Sequence, residues 1–321
     1  MTANPAKDRS SESELIRQDS LWVRVADAVK EAFFPTRCLT CGSFYRVDKP
    51  RRKSLKLLLQ PLRLRNRSDF VLDTFFKVSA FYSDGVENGL SPEARIFAML
   101  MGPFLCAECS GKFLTIESPI CSACGIVFKS RAGEDHLCGE CIKTPKRFGM
   151  GRSAGVYDKV LMAVIHCLKY NGKIQLARPL GVLLFFIFCR YWNENFPDLI
   201  VPVPLHNKKL RHRGFNPSFV LIKEWDSIAR QLDRGFPAVP LAMDILVRKK
   251  WTKSQAGLGR KERLKNIKHA FSVEDPSTIR RKKILLVDDV YTTGATADEC
   301  SKVLLKAGAA RVDVLTLARD I

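Results

Sequence analysis

At 321 residues the chain has room for a sheet domain of about 170 residues and a smaller module that needs a staple to hold its core. Its 53 basic against 33 acidic residues leave a formal charge of +20, which favours polyanionic partners (nucleic acid, pyrophosphate, anionic membrane surfaces) and says nothing about fold. The longest lipid-like run, LGVLLFFIFC at 180–189, is about half the length that crosses a bilayer, so a buried helix and no transmembrane segment are expected.

Residues 1–20 are polar and lack an apolar h-region, so they are read as a disordered tail of a cytoplasmic protein. A helix is expected from Leu21 to Phe34, ended by Pro35. Eight of the eleven cysteines then fall in four CxxC pairs: Cys38/Cys41, Cys106/Cys109, Cys121/Cys124 and Cys138/Cys141. Disulfides do not persist in a reducing compartment, whereas two such pairs supply the four thiolates that structural zinc prefers. The 13 residues between Cys124 and Cys138 match ribbon spacing. Joining the first two pairs needs a 64-residue excursion, which leaves a nested pairing open, and the count at one or two Zn2+. His136, beside Cys138, reads as a surface histidine rather than a ligand, and Cys167, Cys189 and Cys300 read as core. The excursion carries Arg46, Lys49, Arg51, Arg52, Lys53, Lys56, Arg63, Arg65 and Arg67 against the single acid Asp48. A nucleic-acid-binding arm and a solvated basic insertion both fit it.

From Tyr157 the pattern becomes alternating helices and strands. Val160, Leu161, Val164, Ile165 and Leu168 make a helix stripe stopped at Asn171 and Gly172; a second helix runs from Leu176 to Trp192, and Leu199–Val203 is a short apolar strand. PLHNKKLRHRGFN follows at 204–216, placing Lys208, Lys209, Arg211, Arg213 and Gly214 on a loop suited to pyrophosphate. Asn216 and Pro217 then start a helix with Phe219, Ile222, Trp225, Ala229 and Leu232 facing inward. Residues 248–271 form a second basic stretch, read either as a mobile lid carrying Arg260, Lys261 and Arg263 or as a nucleic-acid patch with Trp251 for stacking.

Residues 284–296 read ILLVDDVYTTGAT. Four apolar residues form a strand buried on both faces, and two carboxylates at its end can accept hydrogen bonds from vicinal hydroxyls. Thr292, Thr293, Gly294, Ala295 and Thr296 can then wrap backbone amides around a dianion at the start of a helix. That helix carries Ala297, Cys300, Leu304 and Ala307 on one face and stops near Gly308, and Val312, Val314 and Leu317 mark a further strand. The result is a βαβ unit of an open α/β sheet.

The string resembles the phosphoribosyl pyrophosphate (PRPP) signature of type I phosphoribosyltransferases. Together with the cysteine module, VPVPLHNKKLRHRGFN and QAGLGRKERLKNIKHAF, it occurs in the order typical of the ComF family, over roughly residues 36–321 with 42–105 poorly matched. Pro217 stands where that family usually has glutamine. The resemblance implies a mainly parallel, helix-flanked phosphoribosyltransferase-like sheet over 149–321, a zinc-ribbon module over 36–148 with a basic insertion at about 42–105, and a tail and short helix over 1–35. It implies Asp288 and Asp289 as catalytic residues, Thr292–Thr296 on the 5′-phosphate, and PRPP bound with Mg2+. It also implies a link to DNA uptake in natural transformation, with single-stranded DNA and proteins of the uptake machinery as partners. Two functions stand: a transferase that releases pyrophosphate, and a non-catalytic PRPP-responsive DNA-binding factor.

Overall fold

The computed structural model describes residues 36–47, 91–232, 238–251 and 260–321. The expected tail, the helix at 21–34, basic-run residues 48–67 and lid residues 252–259 lie outside the described residues.

The centre is a four-stranded parallel sheet in the order β3-β8-β7-β4, formed by β3 (Gly151–Val156), β4 (Leu199–Pro202), β7 (Lys283–Tyr291) and β8 (Arg311–Arg319). The period-two alternation of β7 divides the core: Leu285 and Val287 join Leu315 and Leu317 on one face, and Ile284 and Leu286 join Val312 and Val314 on the other. Both faces are covered, which is why the strand reads as an unbroken apolar run.

On the first face α4 (Lys159–Tyr170) and α5 (Ala177–Trp192) follow β3, and α4 ends at Asn171 and the left-handed Gly172, as its sequence predicts. The segment Ile174–Trp192 is apolar and long enough to cross a membrane by length and composition, yet 61% of it is buried inside the protein. Trp225 Nε1 donates to the Gly181 carbonyl at 3.0 Å, and Phe185 and Phe188 pack on the Trp225 ring, so α5 is a core helix. Asn216 caps the next helix as expected, accepting from the Ser218 amide at 3.1 Å. That helix is broken into α7 (Pro217–Ile222) and α8 (Trp225–Leu232), and Phe219, one of its expected inward residues, is only partly buried. On the second face lies α10 (Ala295–Lys306), with Ala297, Cys300 and Leu304 buried. A small antiparallel pair, β5 (Leu246–Arg248) and β6 (Phe271–Val273), flanks it.

The N-terminal segments join the same cores. A hairpin of β1 (Thr36–Arg37) and β2 (Phe44–Tyr45) carries Cys38 and Cys41. Late in the stretch expected as insertion, α1 (Pro92–Met101) is capped by Ser91 Oγ, buries Ile96, Phe97 and Met101 among the α5 residues, and pairs its buried Glu93 with Arg190. The short helices α2 (Ala107–Ser110) and α3 (Gly139–Lys143) start at the first cysteines of the second and fourth CxxC pairs, Cys106 and Cys138, and carry the second ones, Cys109 and Cys141.

Candidate functional site

Asp288 and Asp289 are the first partly exposed residues after the buried run of β7. Asp288 accepts from Ser218 Oγ at 3.0 Å and from the Asp289 amide at 2.9 Å, while Asp289 pairs with Lys169 Nζ of α4 at 2.8 Å. Burial, and then the neighbouring Asp289 carboxylate, push Asp288 up to about 7 against the pull of Lys169. Burial opposes the charge of Lys169 as well, but Asp289 outweighs it and holds the ammonium above its usual range. The site therefore contains a carboxyl poised near neutrality beside a second one already neutralised by an internal lysine.

Three residues further on, Thr292–Thr296 turn the chain into α10. Gly294 is its N-cap with φ +76°, and Thr293 Oγ1 accepts from the Ala295 amide at 3.4 Å. A Cβ on Gly294 would lie 2.1 Å from Tyr291 Oη, so glycine is needed both for the backbone angle and for the space. Asp288, Thr292, Gly294, Ala295, Thr296 and Thr316 line a concavity of about 280 Å³ counting its open mouth, at the positive end of α10.

The basic segment at 204–216 differs from its expectation. It is not a loop but a short helix, α6 (Asn207–Arg213), capped by His206 Nδ1 on the Lys208 amide and closed by the left-handed Gly214. The helix sorts its cations onto two faces. Lys209 and Arg213, four apart, share one, and Lys208 and Arg211, three apart, the other. Burial, then the charges of Arg248, Arg213 and Lys169, bring Lys209 down from its usual range, so these cations lie within electrostatic reach of one another. Lys208 instead sits 5.8 Å from the ring of exposed Trp251, and Arg213 sits 5.0 Å over exposed Tyr170. The expected lid also differs from a loop in its second half: Arg260, Lys261 and Arg263 fall on α9 (Arg260–Ile267).

Cysteine placement follows the spacing. The sulfurs of Cys38, Cys41, Cys106 and Cys109 all lie within 4.8 Å of one another, and so do those of Cys121, Cys124, Cys138 and Cys141. A tetrahedron of zinc–sulfur bonds near 2.3 Å has edges of about 3.8 Å. The Cys41–Cys106 and Cys124–Cys138 separations are 3.8 and 3.9 Å, so both tetrads fit the ion. Burial works against a thiolate at Cys121, but the amides of Cys124, Cys138 and Ala123 outweigh it and draw this thiol down to about 6. His136 belongs to neither tetrad; it stacks on Phe128 at 4.0 Å. Cys167, Cys189 and Cys300 are buried, as expected of core.

Lys169, Ser218, Arg248, Tyr291 and Arg319 were not singled out by sequence reasoning. A signal existed for Lys169: it lies four residues after Ile165, on the flank of an apolar stripe, where a lysine has to find a partner inside the protein. No comparable signal marks Arg319, whose guanidinium donates to the carbonyl of Cys124, 195 residues away, at 2.6 Å.

No protein-family model matches the chain. Among solved structures, a purine phosphoribosyltransferase from Pyrococcus horikoshii overlaps 44% of this chain and 83% of its own at 15% identity and a TM-score of 0.27, too slight a likeness to carry an argument. Sequence relatives are much closer. DNA utilization protein YhgH of Escherichia coli K12 is 31% identical over 229 residues, 68% of this chain and 91% of that protein. Competence protein F of Haemophilus influenzae is 31% identical over 230 residues, 67% of this chain and 97% of that protein. With an open parallel sheet, paired cysteine tetrads and near-complete coverage of that relative, the chain belongs to the competence-related ComF family.

Proposed function

We propose that the protein binds PRPP in the cytoplasm and transfers its phosphoribosyl group with release of pyrophosphate, in a process of DNA uptake. One observation carries this reading: the acid pair, a glycine turn at a helix N-terminus and a cluster of four cations converge at the carboxyl end of one parallel sheet. In this reading the 5′-phosphate takes the amides of Thr292–Thr296, and the ribose hydroxyls donate to Asp288 and Asp289. Lys209, Arg213, Arg248 and Lys169 face the pyrophosphate, and the lid role is given to the stretch that carries Arg260, Lys261 and Arg263. The bond from the anomeric carbon to the pyrophosphate oxygen breaks as the acceptor's bond forms. The bonding electron pair leaves on pyrophosphate, and the acceptor's proton passes to that pyrophosphate or to water. The carboxylates favour the cationic character of the sugar in the transition state and the cations favour the leaving group. Mg2+ carried on the pyrophosphate would add to that neutralisation.

Pyrophosphate release from PRPP and Mg2+, measured against a panel of bases, nucleotides and single-stranded DNA, tests the transfer. The variant Asp288→Asn with Asp289→Asn should lose PRPP binding by calorimetry while keeping its thermal transition. Unchanged affinity in that variant would overturn the site.

A second reading, a PRPP-responsive factor that binds single-stranded DNA without turnover, is favoured by one arrangement. Exposed Tyr170 and Trp251 stand at opposite ends of α6, each beside a cation of that helix. Single-stranded DNA should then quench tryptophan fluorescence, with a log–log salt slope near −3.5 if about five phosphates are neutralised. Robust pyrophosphate release with no quenching at low salt would dismiss it.

A further inference from the structure

Tyr291 and Arg319 are register partners on β7 and β8, at the strand ends that face the phosphate turn. Arg319 is 4% exposed. Its guanidinium donates to the Cys124 carbonyl at 2.6 Å and to Cys124 Sγ at 3.4 Å, and it lies 4.3 Å from the centre of the Tyr291 ring. The ring also meets Phe148 in a T-shaped contact at 6.2 Å, within the same buried cluster as Cys121, Cys124 and Cys141. The far end of the ring, the hydroxyl, presses on Gly294. A continuous chain of contacts thus runs from a zinc-ligating sulfur to the one residue of the turn that tolerates no side chain.

We propose that Arg319 and Tyr291 couple the second cysteine tetrad to the sugar-phosphate turn, so that zinc occupancy and phosphate binding stabilise each other. This rests on the assignment of Thr292–Thr296 to a sugar phosphate. Four thiolates around Zn2+ carry an excess negative charge, which holds a buried guanidinium against Cys124. Arg319 so held fixes the Tyr291 ring from one side, and the ring fixes Gly294 in its left-handed conformation with the amides of the turn aimed outward. Without the ion the knuckle that carries Cys124 loses its anchor, and Arg319 loses the fixed carbonyl and sulfur that seat it against the Tyr291 ring. Arg319 is a positioning residue in this scheme, and Tyr291, which lines the concavity, transmits its effect to the turn.

Binding linkage is reciprocal, which separates coupling from mere structural support. The experiment extracts zinc from the full-length protein with a chromogenic chelator, with and without saturating ribose 5-phosphate. One of the two zinc equivalents should become about tenfold harder to extract with the sugar phosphate, and restoring that zinc should tighten ribose 5-phosphate by the same factor. In Arg319→Lys both equivalents should come out equally with and without ligand, while zinc content at rest stays at two per chain. Tyr291→Phe, which keeps the ring and removes the hydroxyl from Gly294, should lose most of the linkage with little change in thermal stability, and carries the test if Arg319→Lys fails to fold. Ribose 5-phosphate that binds the wild type without altering zinc extraction would overturn the coupling alone. Failure to bind at all would overturn the sugar-phosphate site and the coupling together.

Discussion

The two cysteine tetrads are built alike and used differently. Each begins with a CxxC turn closed by a left-handed glycine: Gly42, with φ +74°, donates to the Cys38 carbonyl at 2.9 Å, and Gly125, with φ +72°, donates to the Cys121 carbonyl at 2.8 Å. Beyond that turn they diverge. Cys38 and Cys109 are buried on the α5 side, but Cys41 is exposed, and a Cβ on Gly42 would meet nothing within 4 Å. Cys121, Cys124 and Cys141 are buried, and a Cβ on Gly125 would lie 2.6 Å from the Gly151 carbonyl at the start of β3. The first tetrad ties a hairpin and α1 onto the α5 face, whereas the second is part of the core under β7, β8 and the phosphate turn. Identical ligand chemistry gives one site that fastens a module and another that belongs to the sheet itself.

The sharpest way to break this contrast is to remove each tetrad in turn. Cys41→Ser with Cys106→Ser should lower the metal content to one zinc per chain and raise hydrogen exchange across residues 36–47 and 91–110, leaving the sheet folded. Cys121→Ser with Cys141→Ser should abolish the cooperative transition. Structural zinc is worth roughly 10 kcal/mol or more, as large as a domain's whole stability. Hydrogen exchange that spreads equally through the sheet in both variants would remove the distinction.

The knuckle glycines give a milder version of the same test. Gly42→Ala should cost about 1 kcal/mol, the penalty of a side chain in the left-handed region. Gly125→Ala carries that penalty and an overlap with the Gly151 carbonyl, so it should cost about 3 kcal/mol in urea unfolding. Equal costs would mean that the second turn moves as freely as the first.

These contrasts mark what could be read from the sequence and what could not. The strand, the acid pair, the turn and α10 were legible because they are contiguous, and each step follows from local patterning within about two dozen residues. The four cysteine pairs were legible because CxxC is a spacing rule, but a nested pairing stayed open until the structure joined Cys38/Cys41 to Cys106/Cys109. The helix α6 was not: seven residues with Leu210 as their single apolar member offer no apolar stripe, and what holds them helical is the pair of caps at His206 and Gly214. Nor was the contact of Arg319 with Cys124, since β8 brings together residues 195 positions apart, and only the sheet order determines that they meet.

A last contrast separates the acid pair from the zinc-linked turn beside it. Asp288 is pushed up to about 7 from an ordinary value of 3.8, so between these limits the folded protein holds a proton that the unfolded chain has released. Stability from this group is therefore fully present below pH 3.8 and is lost as pH rises toward 7. Asp288→Asn should recover it, with a stabilising effect at pH 8 that fades toward pH 4. Ligand binding has the opposite sign, because a carboxylate accepts from ribose hydroxyls better than a protonated carboxyl does. Ribose 5-phosphate affinity should rise by up to about tenfold per unit as pH approaches 7 from below and level off above it. Measurements from pH 6.5 to 8 stay above the phosphate's own second ionisation near 6. Asp288→Asn should flatten this profile, whereas Arg319→Lys should lower it evenly and leave its shape unchanged, because the arginine acts on the turn and not on the acids. A profile that changes shape in Arg319→Lys would show that the second tetrad reaches the acid pair as well, and the two halves of the site would then have to be treated as one.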